Sequence, residues 1–370
     1  MTKNQLLDKY LAAPTLKDEL SSGKKPLVLY GTGNGADKII EYLASLGRRP
    51  DAVFASDGFV RERTFAGLPV ESFDEVAARY GIKMKILVCF GSNRAEVMER
   101  IRELDGEYDA ALPDVPLYGE GVFDADYVKA HIDGLSAARE MLSDDRSRKL
   151  FDDAVFYRLT GKLKYLSDTD APSKSYADLV SSVEYAVDCG AYKGDSALDM
   201  CRSLSGLKKI TALEPDPGTF RKLQEASSLI GAEYGVKIEP VNAAAYDENC
   251  ELTFSGSSSR GAGAAGKNRR AKEKTVRAVT LDSLGLDRVD FIKLDVEGDE
   301  EKALFGASEL LEKYAPSLAV SVYHRTDDIW KLPLMIKDKY SGKDFSYHLR
   351  RAPCLPCWDL VFFAARNDKK

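Results

Sequence analysis

Short apolar runs that end at a glycine or an acid, each followed by apolar residues at helical spacing, recur through both halves of the chain. In the N-terminal half, Pro26-Leu27-Val28-Leu29-Tyr30 predicts a strand and Gly31-Thr32-Gly33-Asn34-Gly35-Ala36 a turn. Ile39, Ile40, Leu43 and Leu46 then predict a helix that stops at Gly47. Asp51-Ala52-Val53-Phe54-Ala55-Ser56-Asp57 predicts a second strand with an acid at its tip. Lys85-Ile86-Leu87-Val88-Cys89-Phe90-Gly91-Ser92 predicts a third, with a helix over 94–104 behind it. Three such units make a small Rossmann-like domain. Ahead of them, Leu6, Leu7, Leu11, Leu16 and Leu20 predict one lead-in helix over residues 1–22.

The same pattern returns with more chemistry in the C-terminal half. Val183-Glu184-Tyr185-Ala186-Val187 predicts a buried strand, Asp188-Cys189-Gly190-Ala191-Tyr192-Lys193-Gly194-Asp195 an acid and glycine loop, and residues 196–204 a helix. Gly190 and Gly194 let the backbone pass close to a ligand, and the first N–H groups of the helix favour an anionic group. Lys209-Ile210-Thr211-Ala212-Leu213 predicts the next strand, ending at Glu214. That is roughly twenty residues past the loop, where a ribose-binding acid stands.

A helix over 218–229 and a strand over 236–241 follow, the strand ending in small residues, Asn242-Ala243-Ala244-Ala245, that would admit an adenine ring. Val289-Asp290-Phe291-Ile292-Lys293-Leu294 predicts a strand running into Asp295-Val296-Glu297-Gly298 and a helix over 299–314. Ser317-Leu318-Ala319-Val320-Ser321-Val322-Tyr323 predicts another, ending at His324. Asp295, Glu297 and His324 therefore leave successive strand ends on one side of the sheet. Runs at 347–349 and 360–364 predict closing strands. Between the halves, Leu150, Phe151, Ala154, Val155 and Leu159 share one face of a bridging helix. The Gly/Ser stretch 255–266 predicts a mobile loop, and the basic run Lys267-Asn268-Arg269-Arg270-Ala271-Lys272 a solvated face or a gate for an acidic substrate.

A chain of 370 residues exceeds one typical core, so two domains are expected. The net charge of −6 argues against a nucleic-acid partner, whose phosphates call for a basic surface. No apolar run approaches a membrane span, and the polar start lacks a signal-peptide pattern, so a cytoplasmic address is expected. Cys89, Cys189 and Cys201 sit in apolar patterns as small core residues. Cys354-Leu355-Pro356-Cys357 has redox or zinc-pair spacing, but no second pair accompanies it, and a loop before the last strand is expected instead.

Four segments, Val187 to Asp195, Leu213-Glu214-Pro215-Asp216, Ile292 to Gly298 and Val322-Tyr323-His324, together make the chain resemble the FkbM family of S-adenosylmethionine-dependent methyltransferases over roughly residues 183–365. The resemblance implies an α/β fold of two doubly wound Rossmann-like domains, the C-terminal one a seven-stranded class I methyltransferase fold. The expected layout is an N-terminal domain over 1–138, a helical linker over 139–182 and the methyltransferase domain over 183–370. It implies methyl transfer from S-adenosylmethionine to a hydroxyl of a small-molecule or glycan acceptor. The residues assigned to the cofactor are Asp188, Gly190, Ala191, Tyr192, Gly194 and Asp195, then Glu214 and Pro215, Asn242 and Ala243, and Asp295.

An alcohol acceptor must lose a proton as it attacks, so His324, with Asp295 and Glu297, is assigned to catalysis as the base and its partners. No metal is assigned, although these three side chains are also suitable ligands for a divalent ion. The N-terminal unit loosely resembles small nucleotide-binding domains that precede sugar-modifying enzymes. There Gly31, Gly33 and Asp57 would hold a nucleotide, or the domain is structural. Two further readings stand beside these: an NAD(P)-dependent oxidoreductase using the Gly31 loop, and a non-catalytic nucleotide-binding scaffold.

Overall fold

The computed structural model describes residues 1–56, 64–115, 118, 121–255 and 273–367. Asp57 and the basic run lie outside them. Its first sheet has six strands: β1 (Leu27–Tyr30), β2 (Ala52–Phe54), β3 (Thr64–Phe65), β4 (Leu68–Glu71), β5 (Lys85–Val88) and β6 (Asp109–Ala111). Their order is β3-β4-β2-β1-β5-β6, parallel except for the β3–β4 pair. Every residue of β1 and β5 is buried, as expected of parallel strands covered on both faces. Alternation sorts β1 cleanly: Leu27 and Leu29 pack with Leu16, Ile39 and Leu43, while Val28 and Tyr30 face the opposite core.

The second half contributes β7 (Tyr185–Cys189), β8 (Lys209–Leu213), β9 (Lys237–Val241), β10 (Ala244–Ala245), β11 (Cys250–Ser255), β12 (Glu273–Val279), β13 (Phe291–Leu294), β14 (Ser317–Ser321), β15 (Phe345–Arg351) and β16 (Leu360–Arg366). Seven of them form a sheet in the order β15-β16-β14-β13-β7-β8-β9. The five strands β9 to β14 of that order run parallel, and β16 is antiparallel to both of its neighbours. The expected α/β class with two parallel-dominated sheets, the second seven-stranded, is what the structure has. Strand order reverses between β7 and β13, and the crevice at such a switch point is where this architecture binds ligands.

Several elements differ from their sequence prediction. The lead-in helix is two helices, Lys3–Tyr10 and Leu16–Ser22, because Pro14 interrupts the run and Thr15 opens a new capping box with Asp18. The helix expected over 299–314 splits into Glu300–Phe305 and Ser308–Tyr314. At the break, Gly306 lies so close to the Tyr246 carbonyl that a Cβ would sit 1.8 Å from its oxygen. Strands β11 and β12 pair antiparallel from Cys250↔Ala278 to Ser255↔Glu273, flanking the stretch expected as a loop. Cys201 is only half-buried, whereas Cys354 and Cys357 are buried in the connection between β15 and β16.

The stretch over 105–182 becomes legible only in three dimensions. Helices Ala125–Glu140 and Asp145–Thr160 carry one continuous apolar cluster from Val28, Tyr30 and Val88 of the first sheet to Val187, Leu294 and Val320 of the second. Polar anchors reinforce it. Asp152 accepts from Tyr10 Oη at 2.7 Å and Arg139 Nε at 2.7 Å, and pairs with Lys9 at 2.8 Å. Asp144 pairs with His348 of β15 at 2.5 Å.

Candidate active site

A cavity of about 660 Å³ opens at the carboxyl ends of β7, β8, β13 and β14. Gly190, Ala191, Tyr192, Asp195, Glu214, Pro215, Ala243, Asp295 and Glu297 line it, so nine of the assigned residues converge there. The N-terminal half supplies Asn93 and Tyr118 to the same wall. Among the described residues, eight carboxylates line the cavity (Asp195, Asp199, Glu214, Asp216, Asp295, Glu297, Asp299, Asp359) against one cation, Lys293. Such a surface attracts a cationic ligand and repels a phosphorylated one.

Glu214 sits at the tip of β8, 7% exposed. Its Oε2 accepts from the Tyr192 N–H at 3.1 Å and its Oε1 from the Asp216 N–H at 2.8 Å. Each oxygen keeps a lone pair for a second donor. Burial pushes its carboxyl up to about 7, against the N–H bonds from Asp216 and Tyr192 that lower it. Asn242 does not line the cavity. It donates to the carbonyls of Glu214 and Pro215, at 2.8 and 3.1 Å, and so braces the turn that presents Glu214.

Asp188 also differs from its assignment: it is fully buried beneath the cavity floor. Its Oδ2 accepts from Ser196 Oγ at 2.6 Å and its Oδ1 lies 3.2 Å from Lys293 Nζ. Lys293 in turn donates to the Gly190 carbonyl at 3.0 Å and lies 3.8 Å from Asp295. Burial alone would lower the lysine's pKa, but Asp188 and Asp295 raise it well above its usual value. The Asp188–Lys293 pair thus locks the glycine loop to β13 from below. Gly190 itself, at φ +78°, is needed for the approach of Asp295, whose carbonyl oxygen a Cβ would meet at 1.9 Å. Gly194 lies outside the lining, turning into the helix Asp195–Ser203 at φ +96° and packing toward Ala226.

His324 lies behind the cavity wall and is 1% exposed. Its Nδ1 pairs with Glu300 Oε1 at 2.9 Å, while Nε2 faces Asp295 Oδ1 at 3.6 Å and Glu297 Oε2 at 3.5 Å. Burial pulls its pKa down, but Glu300 and then Asp295 and Glu297 outweigh it and raise it to about 9. The base expected of His324 thus sits among three carboxylates that favour the charged form of its ring. Glu297 is half exposed, accepts from Tyr118 Oη at 3.0 Å, and has its carboxyl raised by burial. Its backbone holds the left-handed φ of +58°, a strained state of about 1–3 kcal/mol that concentrates at functional sites. Asp295 Oδ1 accepts from Ser321 Oγ at 2.9 Å and Tyr323 Oη at 3.2 Å.

Three residues of this site carried no role in the sequence reading. Lys293 had a signal, a lone charge inside an apolar strand. Glu300 was one acid among several opening a helix, and Tyr118 comes from a stretch with no periodic pattern. At the N-terminal loop, Gly31 is at φ +108° and the ring of Phe90 fills the space its Cβ would need, 2.8 Å away. That glycine answers to packing.

Residues 188–349 match the model of the methyltransferase FkbM domain. The whole fold resembles that of methyltransferase FkbM from Methylobacillus flagellatus KT, with a TM-score of 0.68 at 19% identity over 98% of this chain and 100% of that one. Two shorter methyltransferases align less well. A putative rRNA-methylase from Clostridium thermocellum has a TM-score of 0.34 at 8% identity, covering 54% of this chain and 94% of its own. A putative methyltransferase from Streptococcus mutans, solved with SAH, has 0.32 at 12%, covering 52% and 94%. No curated protein matches the sequence. The family match supports a methyltransferase, and the M. flagellatus structure shares the fold. More narrowly, it is residues 188–349 that match the methyltransferase FkbM domain. Among the described residues no helix is long and apolar enough to cross a membrane.

Proposed function

We propose that the chain transfers a methyl group from S-adenosylmethionine to a hydroxyl of a saccharide, glycoconjugate or other natural product. The single observation that supports this most is Glu214, a buried carboxylate at the second strand end with a lone pair free on each oxygen, beside a cavity lined by acids. The donor set suits a cationic cofactor with a ribose, and the volume lies within the range of about 300–1,000 Å³ usual for such ligands. Glu214 would take the ribose hydroxyls. Ala243 and Pro215 would flank the base, and Asp195 and Tyr192 would bound the remainder. When bound, the sulfonium supplies an activated methyl group.

The chain's own work is to position the acceptor and to accept its proton. Glu297 fits the second task, since it faces the cavity and its raised pKa makes it a better base than an ordinary carboxylate. Tyr118 orients it. Among the described residues, the shortage of cations in the wall favours a neutral acceptor such as a sugar hydroxyl, and Asn93 and Tyr118 give the N-terminal half a part in selecting it. Isothermal titration against S-adenosylmethionine and NAD tests the assignment. One equivalent of S-adenosylmethionine should bind, and Glu214→Gln should weaken it by about 1–3 kcal/mol. Binding of NAD with none of S-adenosylmethionine would replace this function with the oxidoreductase alternative.

A further inference from the structure

The cavity runs across the second sheet rather than along one strand. Glu214 at the end of β8 and Asp359 just before β16 both line it. Four inter-strand steps of about 4.8 Å, roughly 19 Å in all, separate those two strands. Because β16 is antiparallel to β14, its start lies at the same end of the sheet as the carboxyl ends of the parallel strands. On the methyl-transfer function proposed above, the cofactor takes the side where Glu214 and Ala243 stand. The side under β14 and β16 is then left to the acceptor.

Both halves of the chain build that side. The connection between β15 and β16 brings Pro353 and Asp359 to the cavity, and the loop after β5 brings Asn93. Backbone joins the two loops. The Ser92 N–H donates to the Leu355 carbonyl at 2.7 Å, and the Leu355 N–H donates back to the Ser92 carbonyl at 3.0 Å. Beside them Gly91 lies so close to the Trp358 ring that an added Cβ would be 2.0 Å from a ring carbon. The buried Arg351 holds the connection from its other end, donating to the carbonyls of Cys354, at 2.8 Å, and Leu166. A loop fixed in advance spares the ordering that binding would otherwise require. Asp359 stands on it at a left-handed φ of +57°, as Glu297 stands at +58°, a state that in non-glycine residues concentrates at ligand clamps. Tyr323 Oη, 3.2 Å from Asp295 Oδ1 and 3.5 Å from Asp359 Oδ1, ties Asp359 to the acids that follow β13.

We infer that Asp359 and Asn93 are specificity-determining residues of an acceptor subsite that takes a ring bearing two adjacent hydroxyls. An ionised carboxylate only accepts, through two oxygens set side by side, so it matches two neighbouring O–H groups. The Asn93 amide both donates and accepts, and reads a further hydroxyl from the first half of the chain. While Glu297 takes the proton of the reacting hydroxyl, Asp359 holds the hydroxyl beside it and so fixes which oxygen is presented. Gly91 and Ser92 are positioning residues, acting on the acceptor through the connection that carries Asp359.

The test is saturation-transfer NMR on the full chain with S-adenosylhomocysteine present. The probes are the methyl α-glycosides of glucose, mannose and galactose, with tetrahydropyran-2-methanol as a control carrying one hydroxyl. At least one glycoside should bind about 10-fold or more tightly than the control. Asp359→Asn, in which asparagine tolerates the left-handed φ, should weaken that glycoside about 10-fold. Asn93→Ala, on an exposed side chain, should weaken it about 3-fold or more. Gly91→Ala should weaken it as well, by displacing Trp358. S-adenosylmethionine affinity, measured by calorimetry on the same samples, should stay unchanged in all three variants, which a general loss of structure would not allow. No glycoside binding better than the control would overturn the subsite, and an affinity unchanged in Asp359→Asn would do the same. An affinity unchanged in both Asn93→Ala and Gly91→Ala would overturn the part given to the first half of the chain. Failure of the wild-type chain to bind S-adenosylmethionine would instead overturn the methyl-transfer function on which the subsite rests.

Discussion

Cofactor binding should depend on the ionisation of Glu214, in a direction the structure dictates. Burial raises its carboxyl to about 7, so near neutral pH the side chain is only partly ionised. A carboxylate can accept from two ribose hydroxyls while keeping its bonds from Tyr192 and Asp216. The protonated acid gives up one of those acceptor positions. If only the ionised form binds well, the competent fraction is about 0.9 at pH 8 and about 0.1 at pH 6. S-adenosylmethionine affinity should then fall about tenfold across that interval, or about 1.4 kcal/mol. Glu214→Gln cannot titrate and should lose only what the cofactor's own groups impose, so the assay is the difference between two calorimetric pH series in matched buffers. Folding stability of the free chain runs the other way. The native state binds this proton more tightly between the usual 4.5 and about 7, so the group costs stability as pH rises through that window, and bound cofactor offsets the cost. Parallel pH series for the wild type and Glu214→Gln would refute the assignment of Glu214 to the ribose.

Asp188→Asn should lower stability by about 3–5 kcal/mol, read as a denaturant midpoint, because it leaves Lys293 without its main buried partner. Cofactor affinity should fall only in step with the loss of folded protein, and a large loss in a sample still fully folded would restore a direct contact. Gly31→Val should lower the melting temperature, through the clash with Phe90 and the positive φ, while leaving S-adenosylmethionine affinity unchanged in calorimetry. Glu297→Gln should lower turnover by about 10²-fold or more with cofactor affinity retained, measured in steady state once an acceptor is known. Replacement of Tyr118 by Phe should lower turnover by a smaller factor, since it removes only the hydrogen bond that orients Glu297.

What the sequence by itself determined was local and periodic. Apolar runs ending at Tyr30, Val88, Val187, Leu213 and Leu294 became strands, because a run covered on both faces needs no partner information to be recognised. Since residues at the carboxyl ends of parallel strands gather on one side of a sheet, Gly190, Glu214, Asp295 and Glu297 could be placed together from strand order and spacing alone. Only the tertiary structure decided what each of them faces. Asp188 looked like a cofactor acid, and the structure shows it fully buried against Lys293 and Ser196. His324 looked like a base, and only folding brings up Glu300, which opens a helix twenty-odd residues earlier and favours the charged form of the ring. Helix Ala125–Glu140 has a weak apolar stripe because it is buried against several elements at once, with Gly134 making room for Trp330, whose ring carbon would be 2.5 Å from an added Cβ. A residue's type and spacing record its chain neighbours, whereas pKa and burial depend on groups that only folding brings within a few ångströms.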